Sequence, residues 1–316
     1  MTSSGIEDAT HTPVFAPFEQ KPWSQYGQAH SFSASGRPKT KSGTSATSLN
    51  ILRDNFTIST WLLLGASLQC GLVAAFGARL WIVSLPVLVL GLRCIKTILQ
   101  AAGVLKNPYM EGVIPGRTTC HFPDKDGWYK GSPSNQSVAV LLISARSNHA
   151  LGMLGPGYKE AGEFFSQCVK WLEEDAAGRG FLGMTQWLNC GDRTASNELL
   201  LIGYFRSVED IHGLAHHAVH RAPWKWWNES KKKLDHITLT HEIFWCDAGN
   251  WENIFVNCKP THMGSSVVKG GDGKWRSPLI YVSAAHRSSA NRLRRKQNQA
   301  EQQRQEETDT ITGEVY

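Results

Sequence analysis

Between Asn55 and Met110 the chain contains no Asp and no Glu. Solvated helices carry charge on their outer face, so this gap excludes an ordinary surface segment. A second absence concerns cysteine spacing. The seven cysteines, at 70, 94, 120, 168, 190, 246 and 258, form no CxxC pair. An odd count without paired spacing argues against a disulfide framework and against a structural zinc site, and fits a reducing compartment. A third absence is the dinucleotide fingerprint: the glycines of NHALGMLGPGY, residues 148 to 158, are not in GxGxxG order.

The acid-free block holds two apolar runs. The first is FTISTWLLLGASLQCGLVAAFGA, residues 56 to 78, and the second is LWIVSLPVLVLGLRCIKTILQAAGVL, residues 80 to 105. A bilayer core requires about 20 apolar residues of helix. Such length favours a transmembrane hairpin over 56–105 above the buried hairpin of a globular core. Trp61 and Trp81 stand near the starts of the runs, where interfacial aromatics belong. Pro86 predicts a kink that a membrane helix tolerates. Arg37, Lys39, Lys41 and Arg53 precede the block, and Arg93, Lys96 and Lys106 close it, while Arg79 alone lies between the runs. The positive-inside rule then favours a hairpin with both ends in the cytosol, the alternative being one span followed by an interfacial helix. The expected location is a multi-pass membrane protein, of the endoplasmic reticulum, with its catalytic domain cytosolic. Some fifty residues precede the first run, which excludes a signal peptide.

With 316 residues, one or two domains are expected beside this hairpin. Residues 1–50 are rich in Ser, Thr, Gly and Pro and read as disordered. Residues 286–316 read as a disordered polar tail. The net charge of +6 comes largely from these flanks, so RLRRK within the tail reads as solvated, and no nucleic-acid partner is expected.

The folded body is expected over 115–262. SVAVLLISAR (137–146) reads as a strand, YKEAGEFFSQCVKWLEEDAAG (158–178) as an amphipathic helix, and GFLGMTQWL (180–188) and ELLLIGYF (198–205) as two further strands. Ser207 with Asp210 marks the start of a second helix, and HITLTHEIFW (236–245) alternates as a fourth strand. That order is the split-βαβ, ferredoxin-like arrangement. The fold class is therefore α+β. Helices cover one face of such a sheet, and a second copy meeting the other face gives a dimeric α+β barrel enclosing an apolar pocket.

The second helix carries AHHAVHRAPWKWWNESKKK, residues 215 to 233. In a continuous helix His216, His220, Trp224 and Trp227 form one stripe. Pro223 predicts a break instead, one helix ending near His220 and the next beginning at Pro223. On the fourth strand His241 and Trp245 share a face with Ile237, Leu239 and Ile243, and Glu242 takes the other. A histidine on an apolar face calls for a partner or a ligand.

These pieces resemble a known family. LGPGYKEAGEFF, GRGFLGMTQWL, NELLLIGYFRSVEDIHGLAHHAVHRAPWKWWN and THEIFWCDAGNWENIFVNCKP are similar to segments of the fungal monooxygenase family typified by the fumagillin-pathway polyketide oxygenase, a relative of the antibiotic biosynthesis monooxygenases. Pro223 departs from the family pattern. The resemblance covers about 120 to 260. It implies the dimeric barrel and oxygenation of a small hydrophobic polyketide or terpenoid intermediate in secondary metabolism. It carries functional weight onto His220, Trp224, Trp227, His241, Glu242, Trp251, Glu252 and Asn257. The expected catalytic residues are His220, His241 and Glu242, with either histidine as the base. Trp224, Trp227, Trp245 and Trp251 are expected at the substrate, and Glu252 and Asn257 in support. No cofactor and no metal are expected, the partners being molecular oxygen, the substrate, the membrane and a second copy. Two rival classes stand beside this one: a haem enzyme with His220 as axial ligand, and a membrane-tethered protein that binds a metabolite without catalysis.

Overall fold

The computed structural model describes residues 11–22, 43–230, 233–283 and 286–293. The rest of the 1–50 segment, and the tail beyond residue 293, lie outside the described residues. The chain divides into two compact units, one of which holds Thr44–Glu111 together with the loop Cys190–Asn197.

In that unit, helix α1 spans Gly43–Asp54, α2 Ile58–Phe76 and α3 Leu80–Ala101. Thr57 caps α2, its hydroxyl accepting from the Thr60 amide. Pro86 lies inside α3. Both α2 and α3 are long and apolar enough to cross a membrane. Ile82 is the one buried residue of the two helices, and its carbonyl accepts from Gln69 Nε2 across the hairpin at 2.7 Å. Asp54 accepts from the amide and the side chain of Asn197, each at 2.7 Å. The first fifty residues are thus not uniformly without structure, because α1 begins at Gly43.

The other unit is built on one antiparallel sheet. Its strands are β2 (Val138–Ser147), β3 (Phe181–Leu188), β4 (Leu199–Phe205) and β5 (Ile237–Cys246), in the order β3-β4-β2-β5. Helix α4 (Tyr158–Glu174) joins β2 to β3, and α5 (Val208–His216) with α6 (Ala218–Ser230) joins β4 to β5. This is the βαββαβ order expected from the sequence. Gly157 starts α4 at φ +77°, and a Cβ there would stand 2.3 Å from Leu234 Cδ2, so both conformation and space call for glycine.

Alternation along the strands sends Ala139, Leu141 and Ile143 to the helical side. There they pack with Cys168, Val169 and Leu172 of α4 and with Ile211 and Leu214 of α5. Each fully buried Leu, Ile or Val contributes about 1.5–3 kcal/mol. A bulge between Phe181 and Gly183 lets both Phe181 and Met184 join this core. Residues of the other parity, among them Val138, Val140, Ile202 and Tyr204, face the far side.

Much of that far side is covered from within the chain. Strand β1 (Ile114–Cys120) pairs with β6 (Phe255–Cys258) and β9 (Leu279–Tyr281), and Phe122, Trp251, Met263 and Leu279 pack onto Val138, Leu182 and Tyr204. A β-ribbon of β7 (Val268–Lys269) and β8 (Trp275–Arg276) lies between β6 and β9 in sequence. A second copy was expected to cover this whole face, and the in-chain sheet takes part of that role.

The body also outruns 115–262 at both ends. Pro13 bridges to Ile280 and Phe18 to Trp275, while Val14 and Phe15 pack on the far-side core. Helix α7 (Ser289–Arg292) opens the segment expected to be a polar tail. Arg292, first of the basic run, is buried. It donates to Glu252 at 2.5 Å and to the His286 carbonyl at 3.0 Å. Its charge is satisfied internally, which is why it is not a surface patch.

Candidate active site

On the helical side a hollow of about 150 Å³, open to solvent, lies between the sheet, α4 and α6. Leu141, Ile143 and Leu239 form its floor, Phe164, Phe165 and Cys168 one wall, and Trp224, Trp226 and Trp227 the other. The spacing of Phe164, Phe165, Cys168, Val169 and Leu172 on one face of α4 is what turns them all toward it. His220 is the one ionisable base among the lining residues.

The helix break behind this wall is not where Pro223 predicts. Helix α5 ends at His216, His217 is extended at φ −73° and ψ 151°, and α6 runs from Ala218 straight through Pro223. A proline inside a helix deprives the carbonyl four residues back of its donor. That carbonyl belongs to Val219, and the thiol of Cys168 donates to it at 3.5 Å. The helix survives its proline because α4 supplies a substitute donor. Burial raises the Cys168 thiol pKa to about 11, so it stays protonated and able to donate.

His220 is half-buried. Its Nδ1 lies 3.1 Å from the carbonyl oxygen of Ala215. A carbonyl only accepts, so Nδ1 carries the proton and Nε2 is left with the lone pair. With Nδ1 committed to that carbonyl, Nε2 is the ring nitrogen that can take a proton at the edge of the apolar hollow.

The other sequence-derived residues lie elsewhere. His241 sits on the face of β5 that carries Leu239, opposite Ile143, but it is exposed and outside the hollow's lining. Glu242 points to the far side, beside Leu142, Ser144 and Thr240, so it cannot orient His241 or reach His220. Trp245 is exposed at the edge strand, donating to Asp247 at 2.8 Å. Trp251 is buried in the far-side core, its indole N–H donating to the Gln136 carbonyl at 2.6 Å. It is a packing residue in this structure, not a wall of the hollow. Glu252 holds Arg292, and Asn257, at φ +47°, accepts from the Gly116 amide at 2.8 Å. Of the nine residues, the structure brings together His220, Trp224 and Trp227. Trp226 and the Ala215 carbonyl were missed. Trp226 shares no stripe with His220 but reaches Phe164, ring to ring at 5.3 Å. A backbone carbonyl carries no residue-type signal at all.

A family model described as monooxygenase af470-like matches residues 138–263, the whole main sheet with its helices. Over 234 residues the chain is 31% identical to monooxygenase af470 of Aspergillus fumigatus, across 72% of this chain and 84% of that one. Among solved structures, an aldoxime dehydratase in complex with butyraldoxime is 14% identical at a TM-score of 0.35, over 47% of this chain and 39% of its own. The cofactor-independent oxygenase SnoaB from Streptomyces nogalater is 14% identical at a TM-score of 0.23, over 34% of this chain and 91% of its own. The family match, and the identity to monooxygenase af470 over most of both chains, establish that this chain belongs to the monooxygenase af470-like family and is an oxidoreductase.

Proposed function

We propose that the protein is a cofactor-independent monooxygenase acting on a hydrophobic, enolisable polyketide or terpenoid intermediate of secondary metabolism, with His220 as the base. The observation that carries this reading is an otherwise apolar hollow with one tautomer-fixed imidazole at its edge. His220 Nε2 takes a proton from an activated C–H, and the carbanion passes an electron to molecular oxygen. Radical and superoxide combine to a peroxide anion, which recovers the proton from the imidazolium. Loss of water then leaves a carbonyl: the substrate CH2 and O2 become C=O and H2O, and the substrate supplies every electron. The tryptophans hold a flat apolar substrate and exclude water, which strengthens electrostatic interactions at the reacting centre.

In the same reading α2 and α3 anchor the chain as a multi-pass protein of the endoplasmic reticulum, the body lying in the cytosol. The basic flanks of the hairpin support this orientation. A homodimer is part of the proposal, its second copy seated on the part of the far face that the in-chain sheet leaves open, where Trp187 is exposed.

The full chain in detergent, supplied with dithranol as an enolisable tricyclic probe, should consume oxygen above the uncatalysed rate. His220→Ala should lose about a hundredfold to ten-thousandfold of that turnover. Full activity in His220→Ala refutes the assignment. A Soret band in the purified protein would replace it with the haem enzyme.

A further inference from the structure

We infer that His217 is a positioning residue for His220, through an exchange of hydrogen-bond partners at the break between α5 and α6. The inference rests on the reading of His220 as the base. In an unbroken helix the amide of Val219 would donate to the carbonyl of Ala215, four residues back. Here neither group keeps that partner. The Val219 amide donates to Nδ1 of His217 at 3.2 Å, and the Ala215 carbonyl accepts from Nδ1 of His220 at 3.1 Å. One imidazole has replaced the carbonyl as acceptor, and the other has replaced the amide as donor.

The two replacements require opposite tautomers. An amide only donates, so Nδ1 of His217 is bare and its proton sits on Nε2. A carbonyl only accepts, so Nδ1 of His220 is protonated and its Nε2 is bare. His217 acts as an N-cap for α6, filling the role that a Ser or Asp oxygen usually fills. By withdrawing the Val219 amide from Ala215, it leaves that carbonyl open for His220.

The ring of His217 is itself held. It stacks on Trp171 of α4, centroids 4.3 Å apart and planes 26° from parallel. The guanidinium carbon of Arg179 lies 3.8 Å from the centre of the same indole. His217 does not line the hollow and so touches no substrate there. Its neighbour His216 is exposed at the end of α5 and takes no part in the exchange.

The test uses the full chain in detergent, labelled with 15N at histidine. Imidazole 15N shifts report the tautomer of His220, assigned by the signal lost in His220→Gln. The native protein should show one tautomer for His220, with the proton on Nδ1. His217→Ala should give a mixture of tautomers and about a tenfold loss of kcat with dithranol, KM holding steady. His217→Asn, whose side-chain oxygen can accept from the Val219 amide, should restore both the single tautomer and the rate. An unchanged single tautomer in His217→Ala overturns the inference. This readout does not depend on turnover. If His220→Ala proves fully active, the base assignment fails while the tautomer result still decides the role of His217.

Discussion

The thiol of Cys168 donates to the carbonyl oxygen of Val219 at 3.5 Å, the acceptor that Pro223 leaves without its helical donor. A residue of α4 therefore mends a defect in α6, and the wall of the hollow depends on both. Cys168→Ala should destabilise the body by about 1–3 kcal/mol, since it removes packing and orphans a carbonyl. Pro223→Ala restores the amide, so Cys168→Ala should cost less in that background. Chemical denaturation of the four proteins of this double-mutant cycle measures the coupling; additive effects would show that the thiol and the proline act independently.

Trp224 lines the hollow yet is 61% exposed, so it shapes binding more than stability. Trp224→Ala should raise KM for dithranol several-fold and lower stability by about 1 kcal/mol or less. His241→Ala, outside the lining, should keep near-native turnover. Steady-state oxygen uptake, with folding followed by circular dichroism, separates the two effects. A dead but folded His241→Ala would move the base to the strand.

Two buried histidines, His121 and His286, predict acid lability. His11 stands edge-on to His121 at 5.3 Å and to His286 at 4.7 Å between ring centres. The Nε2 atoms of His121 and His286 have no hydrogen-bond partner among the described residues. Burial first, and the neighbouring His11 second, lower the pKa of both His121 and His286 to about 4. A histidine with a depressed native pKa binds its proton more readily when unfolded, so stability falls as pH drops below about 6.5 and levels off near 4. Melting temperature against pH should show this fall, and His286→Gln should flatten it. A profile unaltered by His286→Gln counts against the cluster as its source.

For the hairpin, protease added to sealed microsomes should digest the C-terminal body from outside. Protection of that body until detergent is added would reverse the proposed orientation.

The main sheet was legible because its strands and α4 are locally periodic. SVAVLLISAR and HITLTHEIFW state their alternation within ten residues, and the Ser207 cap with Asp210 appears as read, at 3.1 Å. The second sheet was not legible. IPGRTTC, FVNC and LIY are short, mixed in polarity, and joined across long separations, as Ile114 is to Cys258. Local pattern carries no information about such pairings. The histidine cluster is hidden for the same reason, its members coming from positions 11, 121 and 286. At Pro223 the backbone rule that predicts a break is outweighed by a thiol from another helix.

Residues 11–18 precede the hairpin and residues from Gly112 onward follow it, yet both belong to one folded unit. A single folded unit cannot be threaded through a bilayer. The chain between these segments must therefore cross the membrane an even number of times. One crossing is ruled out by connectivity, independently of any count of flanking charges. The pairing of Phe18 with Trp275 thus fixes a parity, and with it, two crossings or none are the only choices open to α2 and α3.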